Sequence, residues 1–208
     1  GRYPEERVFH IADLGCAHGL NSMPTCGLAI DSITAAAAER PSFMVYHEDL
    51  PQNDFNQLVQ VLESDNSYTT NRKDVHPCTI GKSFYEQLFP RNFLHLAMAY
   101  ITLHWLRRLP GKLSGICFNP CEAVPIGSKE LDAWSQQASS DLVEFLSLRA
   151  MELKPGGELV AVMVGRNDEG STVSPYVRSQ REEGGECAIS SVLRDMVEEG
   201  KISLSEAE

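Results

Sequence analysis

The segment Asp13-Leu14-Gly15-Cys16-Ala17-His18-Gly19, directly after an apolar run that begins at Val8, constrains this chain more than any other feature. A short apolar run ending in an acid and a glycine reads as a buried parallel strand, Val8 to Gly15, feeding a tight turn. Such a turn lets a ligand approach the backbone at the carboxyl edge of a sheet, the usual place for a nucleotide-like cofactor. The spacing Gly15-x-x-x-Gly19 departs from the three-glycine pattern that admits a pyrophosphate at a helix terminus. A cofactor without phosphates fits better, and a nicotinamide dinucleotide is disfavoured.

The rest of the chain alternates between strand and helix patterns. Ser22 to Arg40, with the run Ala35 to Ala38, reads as a helix that Pro41 stops. Phe43 to His47 reads as a second strand, and Asn53 to Leu62 as a helix capped by Asn53 or Asp54. Glu63 to Pro77 is polar and aperiodic, as a surface loop would be. Phe93 to Tyr100 predicts a further strand and Leu131 to Leu153 a long amphipathic helix. A turn at Lys154-Pro155-Gly156-Gly157 then leads into an apolar strand, Glu158 to Val164. Gly165 to Gly185 reads as a connector and Cys187 to Glu199 as a helix. This order predicts the α/β class: a Rossmann-like, doubly wound, mostly parallel sheet.

Composition narrows the function classes. With 208 residues, 42% of them hydrophobic, the chain can bury one sizeable core. A formal net charge of −11 opposes non-specific attraction to phosphate backbones, so nucleic acid is not an expected partner. The longest purely apolar run, Leu159 to Val164, is far shorter than the roughly 20 residues of a membrane span. With no leader pattern at the start, a soluble cytoplasmic protein with no membrane partner is expected. The six cysteines form no CxxC pair, which suggests reduced thiols rather than a zinc site or disulfide framework. His10 and His95 fall in strands, His18 in the glycine turn, His47 at a strand end and His76 in a loop; none has metal-ligand spacing, and structural roles are expected for them.

Asp49, at the end of the second strand, is placed to accept hydrogen bonds from both hydroxyls of a ribose, although for such an acid alone a surface Asp before a proline turn is the commoner case. The pieces become specific together. Asp13-Leu14-Gly15-Cys16 precedes Asn21, and Asp49-Leu50-Pro51-Gln52-Asn53-Asp54-Phe55-Asn56 resembles the signature DLPGNDFN of the plant-type carboxyl methyltransferase (SABATH) family, departing only at Gln52. Gly81-Lys82-Ser83-Phe84-Tyr85-Glu86-Gln87-Leu88-Phe89-Pro90 is similar to its GSFYGRLFP, and Leu103-His104-Trp105-Leu106 to its SLHWL. The match continues through Phe145-Leu146, Arg149-Ala150, Glu152-Leu153, Pro155-Gly156-Gly157, Gly165-Arg166 and Asp195 to Gly200.

The resemblance implies S-adenosylmethionine as cofactor and the carboxylate of a small organic acid as methyl acceptor. It implies that Asp13, Gly15, Cys16 and Asn21 line the methionine end of the cofactor, Asp49 and Leu50 the ribose, and Ser83 and Phe84 the adenine. His104 and Trp105 would contact the acceptor. Phe84 offers an apolar face to a purine, Ser83 a hydroxyl for its polar edge, and Trp105 an indole N–H for a carboxylate oxygen. An ionised carboxylate needs no general base, so no catalytic residue is assigned. An asparagine that binds magnesium in some relatives has no match here, its position falling near Lys112 rather than Asn119, so no metal is assigned, and Ile101 stands where the family has a tyrosine. The expected organisation is a cofactor-binding core over residues 1–166 and a connector over 167–208 leading toward a cap domain that the sequence lacks, as it lacks the family's N-terminal segment. N-methylation of a heterocycle, a binding module without activity, and homodimerisation stay open.

Overall fold

The computed structural model describes residues 7–111, 128–163, 195–201 and 203. The chain divides into two compact units, Gly1–Trp105 with Leu142–Met163 and Leu106–Asp141 with Val164–Glu208.

The first unit is built on a sheet of five parallel strands: β1 (Val8–Leu14), β2 (Ser42–Asp49), β3 (Val75–Gly81), β4 (Leu94–Tyr100) and β5 (Leu153–Val162), in the order β3-β2-β1-β4-β5. Helix α1 (Ser22–Ala36) links β1 to β2, α2 (Phe55–Leu62) links β2 to β3, and α3 (Lys129–Glu152) leads into β5. The doubly wound α/β sheet read from the sequence is therefore present. β1 is mostly apolar, with His10 and Asp13 as its polar residues, because both faces are covered. Ile11 packs with Met23, Ile30, Phe43 and Leu58 on one face, while Ala12 and Leu14 pack with Leu94, Ala97 and Phe145 on the other. The strand order reverses between β1 and β4, and a crevice opens at the carboxyl ends of strands at such a reversal.

Several boundaries differ from the sequence reading, each for a physical reason. Helix α1 stops at Ala36 rather than Arg40; Ala37 is already extended, and Arg40, constrained by the following Pro41, bonds Asp74 through two nitrogens at 2.6 and 3.0 Å. Residues 75–77, read as the end of a loop, open β3. Among the described residues this is an edge strand, paired with β2, so Pro77 and an exposed His76 are tolerated there and the apolar alternation is weak. The turn read at Lys154 to Gly157 is an irregularity inside β5, where the register passes from Leu94↔Leu153 to Leu96↔Glu158 and Gly156 adopts φ +84°.

In the second unit, two buried polar side chains of α3 are fully engaged. Asp141 accepts from the Arg107 backbone N–H at 2.9 Å and from Gln137 Nε2 at 2.7 Å, and Gln137 Oε1 accepts from Arg108 Nε at 2.8 Å. Residues 195–198 form a helical turn. The rest of the helix read at 187–199, the connector at 165–185, Gly165-Arg166 and Lys112 lie outside the described residues. Among the described residues no helix is long and apolar enough to cross a membrane.

Candidate functional site

The glycine turn after β1 is held from β2 and its exit. Gly15 N–H donates to Glu48 O at 2.9 Å and to Glu48 Oε2 at 3.1 Å, and Cys16 N–H donates to Glu48 O at 2.9 Å. Ala17, in the left-handed region at φ +48°, donates its N–H to Asp49 Oδ2 at 2.7 Å and accepts from Asn53 Nδ2 at 2.7 Å. Thus the segment Asp49 to Asn56 is a clamp: Asp49 and Asn53 grip the turn, while Asp54 caps α2 by accepting from the N–H groups of Asn56 and Gln57 at 3.1 Å. Gly15 has φ +74°, and a Cβ there would lie 2.5 Å from Thr102 Cγ2. Only glycine fits this close approach. Thr102 Oγ1 donates to Leu14 O at 3.2 Å, which ties the exit of β4 to the end of β1.

The segment after β3 is fixed by a buried ion pair on α3. Arg149 bonds Glu152 Oε2 at 2.9 Å and donates to the carbonyls of Phe84 at 2.8 Å and Glu86 at 3.1 Å. Glu152 Oε1 accepts from the N–H groups of Leu88 at 2.6 Å and Phe89 at 3.1 Å. Phe84 is half-buried and meets Phe145 edge-on at 5.8 Å. Ser83 Oγ accepts from Tyr85 N–H at 3.2 Å, and Tyr85 O–H donates to Trp105 O at 2.9 Å, joining the Ser83-Phe84 segment to the one after β4.

The residues singled out in the sequence thus lie at or after the carboxyl ends of four neighbouring strands. Leu50 is 51% exposed and Trp105 69%; His104 and Asn21 are exposed, and Asn21 makes no side-chain cap to α1. Asp49 is half-buried, with one oxygen on Ala17 N–H and the other on Leu50 N–H at 2.7 Å; a carboxylate offers about four acceptor sites, so further acceptor capacity is left. Asp13 and Cys16 are buried, each 3% exposed. Asp13 Oδ2 meets His47 Nδ1 at 2.8 Å, and His47 Nε2 meets Tyr68 O–H at 2.8 Å.

Three acidic side chains, Asp13, Glu48 and Asp49, gather around the glycine turn. Burial, with help from Asp13, Asp49 and Glu48, drives the Cys16 thiol far above its ordinary range, so it stays protonated. Glu48, fully buried, is pushed up to about 8, chiefly by desolvation and further by Asp49 and Asp13, against the opposing Gly15 N–H and Arg149. Its Oε1 has no hydrogen-bond partner among the described residues. Sequence reading missed Glu48, Thr102, Tyr68 and the pairing of Arg149 with Glu152. Only the last left a local sign, opposite charges three residues apart on one helix.

A family model for SAM dependent carboxyl methyltransferases matches residues 3–208. The chain belongs to this methyltransferase family. Among relatives of this carboxyl methyltransferase family, it is 29% identical to gibberellic acid methyltransferase 2 of Arabidopsis thaliana, over 96% of this chain and 54% of that protein. It is 33% identical to salicylate carboxymethyltransferase of Clarkia breweri, over 76% of this chain and 45% of that one. It is 31% identical to 3,7-dimethylxanthine N-methyltransferase 2 of Coffea arabica, over 78% and 47%. A solved loganic acid methyltransferase with SAH superposes with a TM-score of 0.74 at 25% identity, covering 97% of this chain and 56% of that one. The chain spans about half the length of the curated relatives it matches.

Proposed function

We propose that the strand-end crevice binds S-adenosylmethionine and that the protein transfers its methyl group to the carboxylate of a small organic acid. The observation that carries this reading is the convergence of the Gly15-Cys16 turn, Asp49-Leu50, Ser83-Phe84 and His104-Trp105 beyond the carboxyl ends of β1 to β4. The residues suit the cofactor chemically. Asp13 and Asp49 give the crevice a negative field for a cationic ligand, Asp49 keeps acceptor capacity for ribose hydroxyls, and Phe84 has an apolar face for a purine. When bound, S-adenosylmethionine supplies a methyl group already activated by its sulfonium charge.

The chain's own residues supply placement. Asp49 and Leu50 hold the ribose, Ser83 and Phe84 the adenine, and Asp13, Gly15, Cys16 and Asn21 the amino-acid end. Trp105, its indole exposed, donates its N–H to an acceptor carboxylate oxygen, with His104 beside it at a ring separation of 5.2 Å. A carboxylic acid with an ordinary pKa near 4 is ionised at neutral pH and needs no general base.

The likeness to a 3,7-dimethylxanthine N-methyltransferase supports a second reading, transfer to a ring nitrogen. Incubating the protein with methyl-labelled S-adenosylmethionine and a panel of small acids and methylxanthines separates them. Labelled methyl ester from an acid is expected; label found only in the xanthine products establishes the second reading. Label in neither, from a folded protein that binds S-adenosylhomocysteine, leaves a binding module.

A further inference from the structure

We infer that His47 and Tyr68 are positioning residues that hold the Asp13 carboxylate for the amino-acid end of the cofactor, an inference that rests on the binding reading above. Asp13 and His47 are register partners in the parallel pair β1 and β2, so the sheet itself sets their side chains together on one face. His47 is fully buried, and Asp13 and Tyr68 are each 3% exposed.

The hydrogen bonds have a direction. A carboxylate only accepts, so His47 Nδ1 carries the hydrogen on its 2.8 Å bond to Asp13. The Tyr68 hydroxyl donates to the ring's other nitrogen, Nε2, also at 2.8 Å. Burial, reinforced by Cys26 and Asp13, drives the phenol's ionisation far upward, so Tyr68 keeps its proton and remains the donor. The chain Tyr68 to His47 to Asp13 fixes one carboxylate oxygen and leaves the group's remaining acceptor capacity for an ammonium.

A purely structural role does not call for such a chain. The preceding residues on this face of β2, Phe43 and Val45, are apolar and fully buried. Apolar residues at 13, 47 and 68 would avoid the desolvation that a buried polar triad suffers. The polar rung occurs where the two strands end, beneath the glycine turn. There the ligand-type atoms of Asp13, Cys16 and His47 gather within 4.8 Å of one another. The protonated thiol and the two engaged ring nitrogens make this a hydrogen-bonded cluster rather than a set of free metal donors.

The test compares two ligands on three proteins. S-adenosylhomocysteine carries the amino-acid end; 5′-methylthioadenosine lacks it and keeps the nucleoside. Calorimetry on the wild type, His47→Leu and Tyr68→Phe should show S-adenosylhomocysteine affinity falling about tenfold or more in the first variant and roughly three- to tenfold in the second, one hydrogen bond's worth. Affinity for 5′-methylthioadenosine should stay within about twofold, as expected if the nucleoside contacts are untouched. Tyr68→Phe keeps the ring and so carries the test if His47→Leu does not fold. Equal losses for the two ligands, or no loss for S-adenosylhomocysteine, would overturn the positioning role. A wild type that binds neither ligand would overturn the cofactor reading itself.

Discussion

Arg149 and Glu152, three residues apart on α3 and both fully buried, bond each other at 2.9 Å while also holding the backbone of the segment that carries Ser83 and Phe84. The bonds that leave the pair all go to backbone of a segment, residues 84–89, that has no regular structure of its own. The guanidinium also lies 5.2 Å from the centre of the Phe145 ring, against which Phe84 rests. The pair therefore links the packing of α3 to the shape of the Ser83-Phe84 segment.

Removing one partner leaves the other buried and uncompensated. Arg149→Met should lower stability by about 3–5 kcal/mol, and Arg149→Lys should restore little, since a lysine cannot reach Glu152 and two carbonyls in the fixed geometry of a guanidinium. Denaturant unfolding of both variants checks this. A loss below about 1 kcal/mol for Arg149→Met would mean that the pair contributes no more than an exposed one.

Glu48 makes stability depend on pH. Its proton leaves near 4.5 in the unfolded chain but only near 8 in the folded one. Between those values the folded chain holds a proton that the unfolded chain has released, so this group's contribution is full below 4.5, declines as pH rises through the window and is lost above 8. Glu48→Gln keeps the shape and removes the titration. The stability difference between variant and wild type should therefore move in the variant's favour from about pH 5 to 8 and then level off, by an amount on the order of 4 kcal/mol at most. A difference that is constant across this range would show that Glu48 titrates normally.

Trp105 is 69% exposed, which leaves little core for it to fill. With an acid that the wild type methylates, Trp105→Phe should lower acceptor kcat/KM by roughly ten- to a hundredfold, the effect of one charge-assisted bond, and leave S-adenosylhomocysteine affinity unchanged. The melting temperature should barely move. Unaltered kinetics would remove the indole N–H from acceptor binding.

The strands and helices that frame the crevice were legible because their signals are local. Val8 to Leu14 is a mostly apolar run, and Asp54 stands one residue before the helix it caps. β3 was not, because an edge strand with Pro77 and polar outward residues has no strong alternation. The blocks around Asp49, Ser83 and Trp105 were visible as a family pattern, but their physical work was not. That Asn53 reaches back to Ala17, that Thr102 sits against Gly15, and that His47 stands beside Asp13 all depend on distant residues meeting across the sheet. No local pattern encodes such meetings. Arg149 is the plainest case, since two of its partners are backbone carbonyls that any residue could supply.

Titration of the chain with S-adenosylhomocysteine by calorimetry, on the wild type and on Asp49→Ala, bears most directly on the cofactor site. The wild type should bind one equivalent saturably, with no comparable heat from NAD. Asp49→Ala, still folded, should bind about ten- to a hundredfold more weakly, as loss of a charged acceptor worth about 1.5–3 kcal/mol requires. No saturable binding by the folded wild type, or an unchanged dissociation constant in the variant, would contradict the site described above.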